Sequence, residues 1–139
     1  NAANLLTRAT RAEKALAVGL IEEAERRMSA PLADLMRDAK QGASLAQAVI
    51  ERASLFAVRY ALATSEPGRL SYVLELHGAT SSLLSSAVLE ELHTAVRKVP
   101  GLRIAEFDSY IQQVRAAAEG PAERFQRGRI EGLRAVLAG

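Results

Sequence analysis

The stretch LATSEPGRLSYVLELHG, residues 62–78, interrupts a chain whose pattern is otherwise helical. Pro67 disfavours helical backbone angles at Glu66, and Gly68 allows angles that other residues avoid. The residues that follow resume the three- and four-residue apolar spacing of a helix: Leu70, Val73 and Leu74. The stretch therefore predicts a tight turn between two helices.

The composition predicts a single domain built of helices. A chain of 139 residues can bury one sizeable core, and 4% aromatic residues suit closely packed helices better than a β-sheet. The absence of cysteine excludes disulfides and thiolate chemistry. Eighteen basic and sixteen acidic side chains give a net charge of +2, which makes no case for nucleic-acid binding.

Apolar spacing predicts an all-α antiparallel bundle of six or seven helices, and we find neither a strand nor an internal repeat. The predicted helices cover about 4–29, 32–39, Ser44 to the break at 67–68, 70–96 as one helix or two divided within 80–86, 104–118, and 121–137. No segment has the roughly 20 apolar residues of a membrane span. Gly128 and Gly132 predict that the last helix is the least stable element.

Three short signals are expected to set the early helix boundaries. Ser29-Ala30-Pro31 is expected to end the first helix, because proline is tolerated in a first turn but not inside a helix. Gly42 is the expected C-cap of the second helix. Ser44 and Gln47 match a capping box, which predicts Ser44 as the N-cap of the third.

Neither histidine has the partners of a catalytic or metal site. Glu90-x-x-His93 matches one half of a di-iron ligand pattern, but such bundles need two copies and further carboxylates. A hydrolase would need a Gly-x-Ser-x-Gly elbow, which the chain lacks. We therefore expect no catalytic residue, no cofactor and no metal ligand.

Two features of the sequence each allow two interpretations. His77 lies on an apolar stripe, so it is either a buried histidine with satisfied hydrogen bonds or, less favoured because no lysine follows it, the phosphorylated residue of a phosphotransfer domain. The last helix carries several arginines, either on a solvated face, which we favour, or as a patch for phosphate or an acidic partner: Arg124, Arg127, Arg129 and Arg134.

Two sequence elements within 32–78 resemble the cytoplasmic domain of the type II secretion system F family, the inner-membrane platform proteins of type II secretion and type IV pilus assembly. The first family element, Gly-x-Ser-Leu-x-x-Ala-Leu, is matched by Gly42, Ser44, Leu45 and Ala48. The second, Gly-Glu-x-Ser-Gly-x-Leu-x-x-Val-Leu, is matched by Glu66, Gly68, Leu70, Val73 and Leu74. Ser65 stands where the family has glycine, the acidic turn is one residue shorter, and residues 79–139 match no pattern.

The resemblance implies a non-enzymatic scaffold domain whose motif residues are structural. It implies binding to the assembly ATPase and to inner-membrane assembly proteins, self-association, and a place at the cytoplasmic face of the bacterial inner membrane. Residues 1–139 are then expected to be an excerpt of a larger membrane protein whose spans lie outside it. The alternative function is an all-α ligand-sensing or dimerisation domain of a bacterial regulator.

Overall fold

The computed structural model describes residues 2–115 and 120–139, without the side chains of residues 2, 3, 121 and 122. The described residues form seven α-helices and no strand, which confirms the predicted all-α bundle. The helices are α1 (Ala2–Ala17), α2 (Ile21–Lys40), α3 (Gln47–Thr64), α4 (Gly68–Ala79), α5 (Ser86–Lys98), α6 (Ile104–Val114) and α7 (Pro121–Ala138). None of the helices in this part of the chain is long and apolar enough to cross a membrane.

The helices are arranged in two layers. In one layer, α1 packs on α3, α3 on α5, and α5 on α7; in the other, α2 lies beside α4, and α4 beside α6. The pairs α1–α2, α3–α4 and α6–α7 join the layers. Helix α3 occupies the centre and contributes buried residues to both apolar clusters of the core. One cluster is shared with α1, α2 and Leu76 of α4, and the other with α4 to α7.

The first predicted helix was wrong, because the chain breaks at Gly19 and not at Pro31. Gly19 has a φ of 83° and follows the end of α1. Its N–H donates to the Leu16 carbonyl at 3.0 Å, and the Leu20 N–H donates to the Ala15 carbonyl at 2.8 Å. This pair of bonds is a Schellman motif, in which a left-handed residue ends a helix.

Pro31 lies inside α2, although an interior proline costs a helix about 3 kcal/mol. The apolar stripe of α2 continues on both sides of Pro31, and all its members are buried: Ala24, Met28, Leu32, Leu35 and Ala39. Because burial of a single large apolar side chain contributes about 2 kcal/mol, this stripe outweighs the local cost of proline.

The predicted capping box at Ser44 was also wrong, whereas the role of Gly42 is confirmed. Gly42 has a φ of 82°, and the Schellman bonds Gly42 N–H to Ala39 O and Ala43 N–H to Asp38 O measure 3.1 and 3.0 Å. Residues 43–46 then lie outside any helix, so the N-cap of α3 is Ala46, which has no side-chain cap. Ser44 is exposed two residues earlier.

The turn at the opening stretch is confirmed, but a different residue supplies the left-handed angle. Ser65, the C-cap of α3, has a φ of 60°, and its N–H donates to the Ala61 carbonyl at 2.7 Å. Gly68 is the first residue of α4 and has no left-handed φ. The turn packs against the end of α5, where a Cβ on Gly101 would lie 2.9 Å from Pro67 Cγ.

The predicted division within 80–86 is confirmed, since α4 ends at Ala79 and α5 begins at Ser86. The connection resembles the one between α2 and α3 residue for residue, a likeness that the sequence analysis did not find. Leu45, Val49 and Ile50 correspond to Leu84, Val88 and Leu89, and Ser81, with a φ of 51°, takes the place of Gly42. The end of the predicted helix over 104–118 lies outside the described residues.

Candidate functional site: a groove between α2 and α4

The two family-like elements lie at opposite ends of α3. The 18 residues of this helix separate them by about 27 Å at 1.5 Å per residue. Part of the second element is buried in the core: Leu70, Val73 and Leu74. Of the other matched residues, Leu45 is half-buried, and the rest are exposed: Gly42, Ser44, Ala48, Glu66 and Gly68.

The turn of the second element borders a surface feature that we name the α2–α4 groove, whereas Ser44 and Leu45 of the first element line a separate hollow between α1, α2 and the start of α3. Two adjoining hollows of about 690 and 440 Å³ share Gly68 and Arg69 and together form the groove. Helix α2 lines it with Glu25, Ala33, Met36, Arg37 and Lys40, the α3 side with Tyr60 and Glu66, and α4 with Gly68, Arg69, Tyr72 and Glu75. Gln41, the neighbour of Gly42, lies at one end and Glu66 at the other.

Long side chains bridge α2 and α4 across the floor of the groove. The Tyr72 hydroxyl donates to the Leu32 carbonyl at 2.7 Å. The Arg69 guanidinium lies 5.8 Å from the centre of the Tyr72 ring and pairs with Glu25 at 2.9 Å. Burial raises the pKa of Tyr72, so its hydroxyl stays a neutral donor at physiological pH. These bridges fix the two helices side by side and leave a channel above them.

The two ends of the groove differ in charge. At one end, Glu25 and Glu66 outnumber Arg69. Burial, and then the negative charges of Glu25 and Glu66, raise the pKa of Tyr60 at this end. At the other end, Lys40 pairs with Glu75 at 2.5 Å and Arg37 pairs with Asp34 at 3.2 Å, so the charges there are balanced. The groove is therefore acidic beside the start of α2 and charge-balanced beside its end.

His77 is buried and has no ring nitrogen open to solvent. Its side chain is 2% exposed, with Nε2 2.9 Å from Ser54 Oγ and Nδ1 3.1 Å from Ser82 Oγ. Ser54 Oγ donates to the Ile50 carbonyl at 2.8 Å, so it accepts from Nε2–H. Burial lowers the pKa of His77 to about 4, and the ring is neutral at pH 7. This environment supports the buried, satisfied histidine and argues against phosphotransfer, which needs an accessible nitrogen.

Among the residues it describes, the structure does not bring further ligands to the other candidate site, the Glu90-x-x-His93 pattern. His93 is exposed on α5, where it borders a shallow hollow with Glu90 and Arg129. Across the described ranges, no three His, Cys, Asp or Glu side chains are close enough to hold a metal ion. The Glu90-x-x-His93 pattern thus has no further ligands among these residues.

Most arginines of α7 bind the protein itself. Arg127 pairs with Glu131 at 3.1 Å, and Arg134 pairs with Asp108 of α6 at 2.6 Å. Arg129 donates to Ser86 Oγ at 3.1 Å. Arg124 is exposed and pairs with no other described residue, so the arginines of α7 do not converge on one anion site in the described part of the chain.

The opposite layer presents a band of ion pairs across α1, α3 and α5. Glu13 accepts from Arg52 at 3.0 Å and also from Arg59. Arg59 reaches Glu91 of α5 at 2.7 Å, and these hydrogen bonds raise its already high pKa. The band joins three helices through side chains that sequence analysis had assigned no role, since they become neighbours only when α1, α3 and α5 pack.

Comparisons of the chain with protein-family models, with curated proteins and with solved structures gave no match.

Proposed function

We propose that the chain is a non-enzymatic scaffold domain of an inner-membrane platform protein of type II secretion or type IV pilus assembly. The observation that carries the proposal is the position of the two family-like elements. They sit at the helix ends on either side of α3, with Leu70, Val73 and Leu74 in the core and Glu66 and Gly68 at the rim of the α2–α4 groove. A scaffold places its family-typical residues in this way, at turns and in packing.

The distribution of polar groups supports the same proposal. Among the described residues, the buried imidazole of His77 is held by two serines, and the buried hydroxyl of Tyr110 is held by backbone groups of Ser82 and Leu84. Half-buried charges form pairs on both layers, including Glu13 with Arg52 and Glu25 with Arg69. Such a surface offers polar helix faces and loop ends to protein partners and keeps the bundle rigid.

The ligand-sensing alternative is less well supported by the hollows. A sensor needs an enclosed apolar pocket of about 300 Å³ or more. A hollow of about 470 Å³ does lie between α1, α2 and the start of α3, but Arg8, Asp34 and Asp38 contribute to its lining. Its walls mix charged residues with apolar ones such as Leu5, Leu35 and Val49, and they suit a polar chain better than a wholly apolar effector.

Binding of the purified domain to the assembly ATPase of the same organism tests the proposal. We expect a Kd in the micromolar range by biolayer interferometry, weakening as salt rises because both partners present polar faces. An unrelated hexameric ATPase from the same cells is the control and should not bind. Equal binding to both ATPases, or none to the assembly ATPase at about 100 μM, would contradict the proposal.

A further inference from the structure

Helix α7 presents an apolar face that no other described helix covers. Phe125 is 69% exposed and Val136 is 40% exposed, whereas Ile130 and Leu133, which point to other sides of the helix, are buried. Eleven residues make three helical turns, so Phe125 and Val136 lie on one face about 16 Å apart. Gly128 and Gly132 are exposed between them, with open space where a Cβ would stand.

We propose that this face of α7 docks into the α2–α4 groove of a second copy of the chain. The lengths agree. The groove follows α2 from Glu25 to Lys40, which is about 22 Å of helix, and α7 from Arg124 to its end at Ala138 covers about 21 Å. Both surfaces are open in the single chain; the groove has apolar residues between its charged ends, and α7 has two exposed apolar side chains that flank two glycines.

The charges give the docked helix a direction. Arg124, near the start of α7, is attracted to the acidic end of the groove at Glu25 and Glu66. The carbonyl end of a helix carries partial negative charge, and α7 has no basic residue in its last turn. That end is repelled by Glu25 and Glu66 and therefore lies at the charge-balanced end, beside the pairs Arg37–Asp34 and Lys40–Glu75.

The side chains of α7 and of the groove also fit each other in this orientation. With Arg124 at the acidic end, Phe125 meets Tyr60 and the Arg69 guanidinium, where an aromatic ring is favoured. Val136 falls beside Met36, and the two glycines face Tyr72, the bulky residue at the middle of the groove. Glycines at this point allow the helix to approach closely.

This association is heterologous, since each copy offers one groove and one α7. Such contacts build rings, the smallest of which is a reciprocal pair, or open chains. The inference concerns the isolated domain and does not need the family resemblance. Loss of ATPase binding would leave it standing, and loss of self-association would leave the proposed function standing.

Sedimentation of the purified chain tests the inference with two variants that each damage one half of the contact. Phe125→Glu removes the exposed ring from α7, and Ala33→Arg fills the groove from an exposed position on α2. We expect the wild-type chain to form dimers and larger species as its concentration rises to about 500 μM, and each variant to stay monomeric. Val18→Glu, which removes a 72% exposed apolar residue from the α1–α2 loop, is the matched control and should associate like wild type.

Mixing the two variants distinguishes docking of α7 into the groove from other ways in which two copies could associate. Phe125→Glu keeps an intact groove and Ala33→Arg keeps an intact α7, so the mixture should give one-to-one dimers that grow no further. A monomeric wild type at the highest concentration, a mixture that stays monomeric, or loss of association in Phe125→Glu but not in Ala33→Arg would overturn the inference. The last result would indicate contact between two α7 helices.

A charge exchange checks the direction of docking. Arg124→Glu and Glu66→Lys should each weaken association about five-fold, and the two changes in one chain should restore it. Absence of restoration, with both single variants weakened and folded by circular dichroism, would overturn the assigned direction.

Discussion

The connections at residues 41–46 and 80–85 share one backbone design and differ in the chemistry that stabilises it. Each begins with a Schellman motif, continues with four residues outside any helix and ends at a helix N-cap. In the first, Gly42 takes the left-handed angle and the loop is largely exposed. In the second, Ser81 takes that angle.

The second connection is held by side chains from four helices. His77 of α4 bonds to Ser82 and, across the core, to Ser54 of α3. The Tyr110 hydroxyl of α6 accepts from the Leu84 N–H at 3.0 Å and donates to the Ser82 carbonyl at 3.2 Å. Gln126 of α7 donates to the Leu84 carbonyl at 2.9 Å. The comparison shows that a glycine can fix such a turn locally, whereas a serine in the same place depends on tertiary contacts.

Removal of the buried imidazole should reveal the largest difference in stability between the two connections. His77→Ala leaves a cavity and removes the partner of Ser54 and Ser82, so we expect a loss of about 3 kcal/mol in the free energy of unfolding. Asp38, the corresponding residue of the first connection, is half-buried, and Asp38→Ala should cost about 0.5 kcal/mol or less. Urea unfolding measures both, and similar losses would contradict the comparison.

The same histidine predicts acid sensitivity. The unfolded chain protonates His77 near its ordinary pKa of 6.5, whereas the folded chain does so only near 4. Stability is therefore fully present above pH 6.5 and falls as the pH drops towards 4, by about 2 kcal/mol between pH 7 and pH 5.

Unfolding of His77→Asn across the same pH range isolates this effect. The variant should lose most of the slope between pH 7 and pH 5, and His93→Asn, at an exposed position, should keep it. An unchanged slope in His77→Asn would show that His77 is not the group responsible.

The two left-handed positions should respond to substitution with opposite signs. Gly42→Ala places a Cβ at a φ of 82° and should destabilise the protein by about 1 kcal/mol, although no atom lies within 4 Å of the new methyl group. Ser81→Gly removes a Cβ at a φ of 51° and should stabilise it by up to about 1 kcal/mol. Thermal melts of both variants test this, and a shift of the same sign in both would refute it.

Substitutions at the N-caps of α3 and α5 should change the free energy of unfolding least. Ser85 Oγ accepts from the Val88 N–H at 3.3 Å, so Ser85→Ala should cost about 1 kcal/mol. The corresponding residue, Ala46, has no side-chain cap, and Ala46→Ser should stabilise the protein by about 0.5 kcal/mol. Ser44→Ala is the control: it should leave the denaturation midpoint unchanged, and a clear loss there would restore Ser44 as the cap.

The sequence predicted the site only in part. Glu66 and Gly68 were singled out as a turn, and they do lie at the rim of the α2–α4 groove. The groove itself could not be predicted, because its walls come from helices separated by the whole of α3. Tyr72 and Arg69 gave no signal of their role, since their partners, Leu32 and Glu25, lie more than 35 residues away.

Apolar spacing and the turn residues by themselves determined the helical class, the breaks at Gly42, 65–67 and 80–85, and the burial of Leu70, Val73 and Leu74. These are local properties, set by backbone angles and by which face of a helix is apolar. Tertiary structure alone decided that α2 continues through Pro31, that Ser65 and Ser81 adopt left-handed angles, and that His77 is neutral. In each case the local cost is outweighed by packing or hydrogen bonds, several of them to residues distant in sequence.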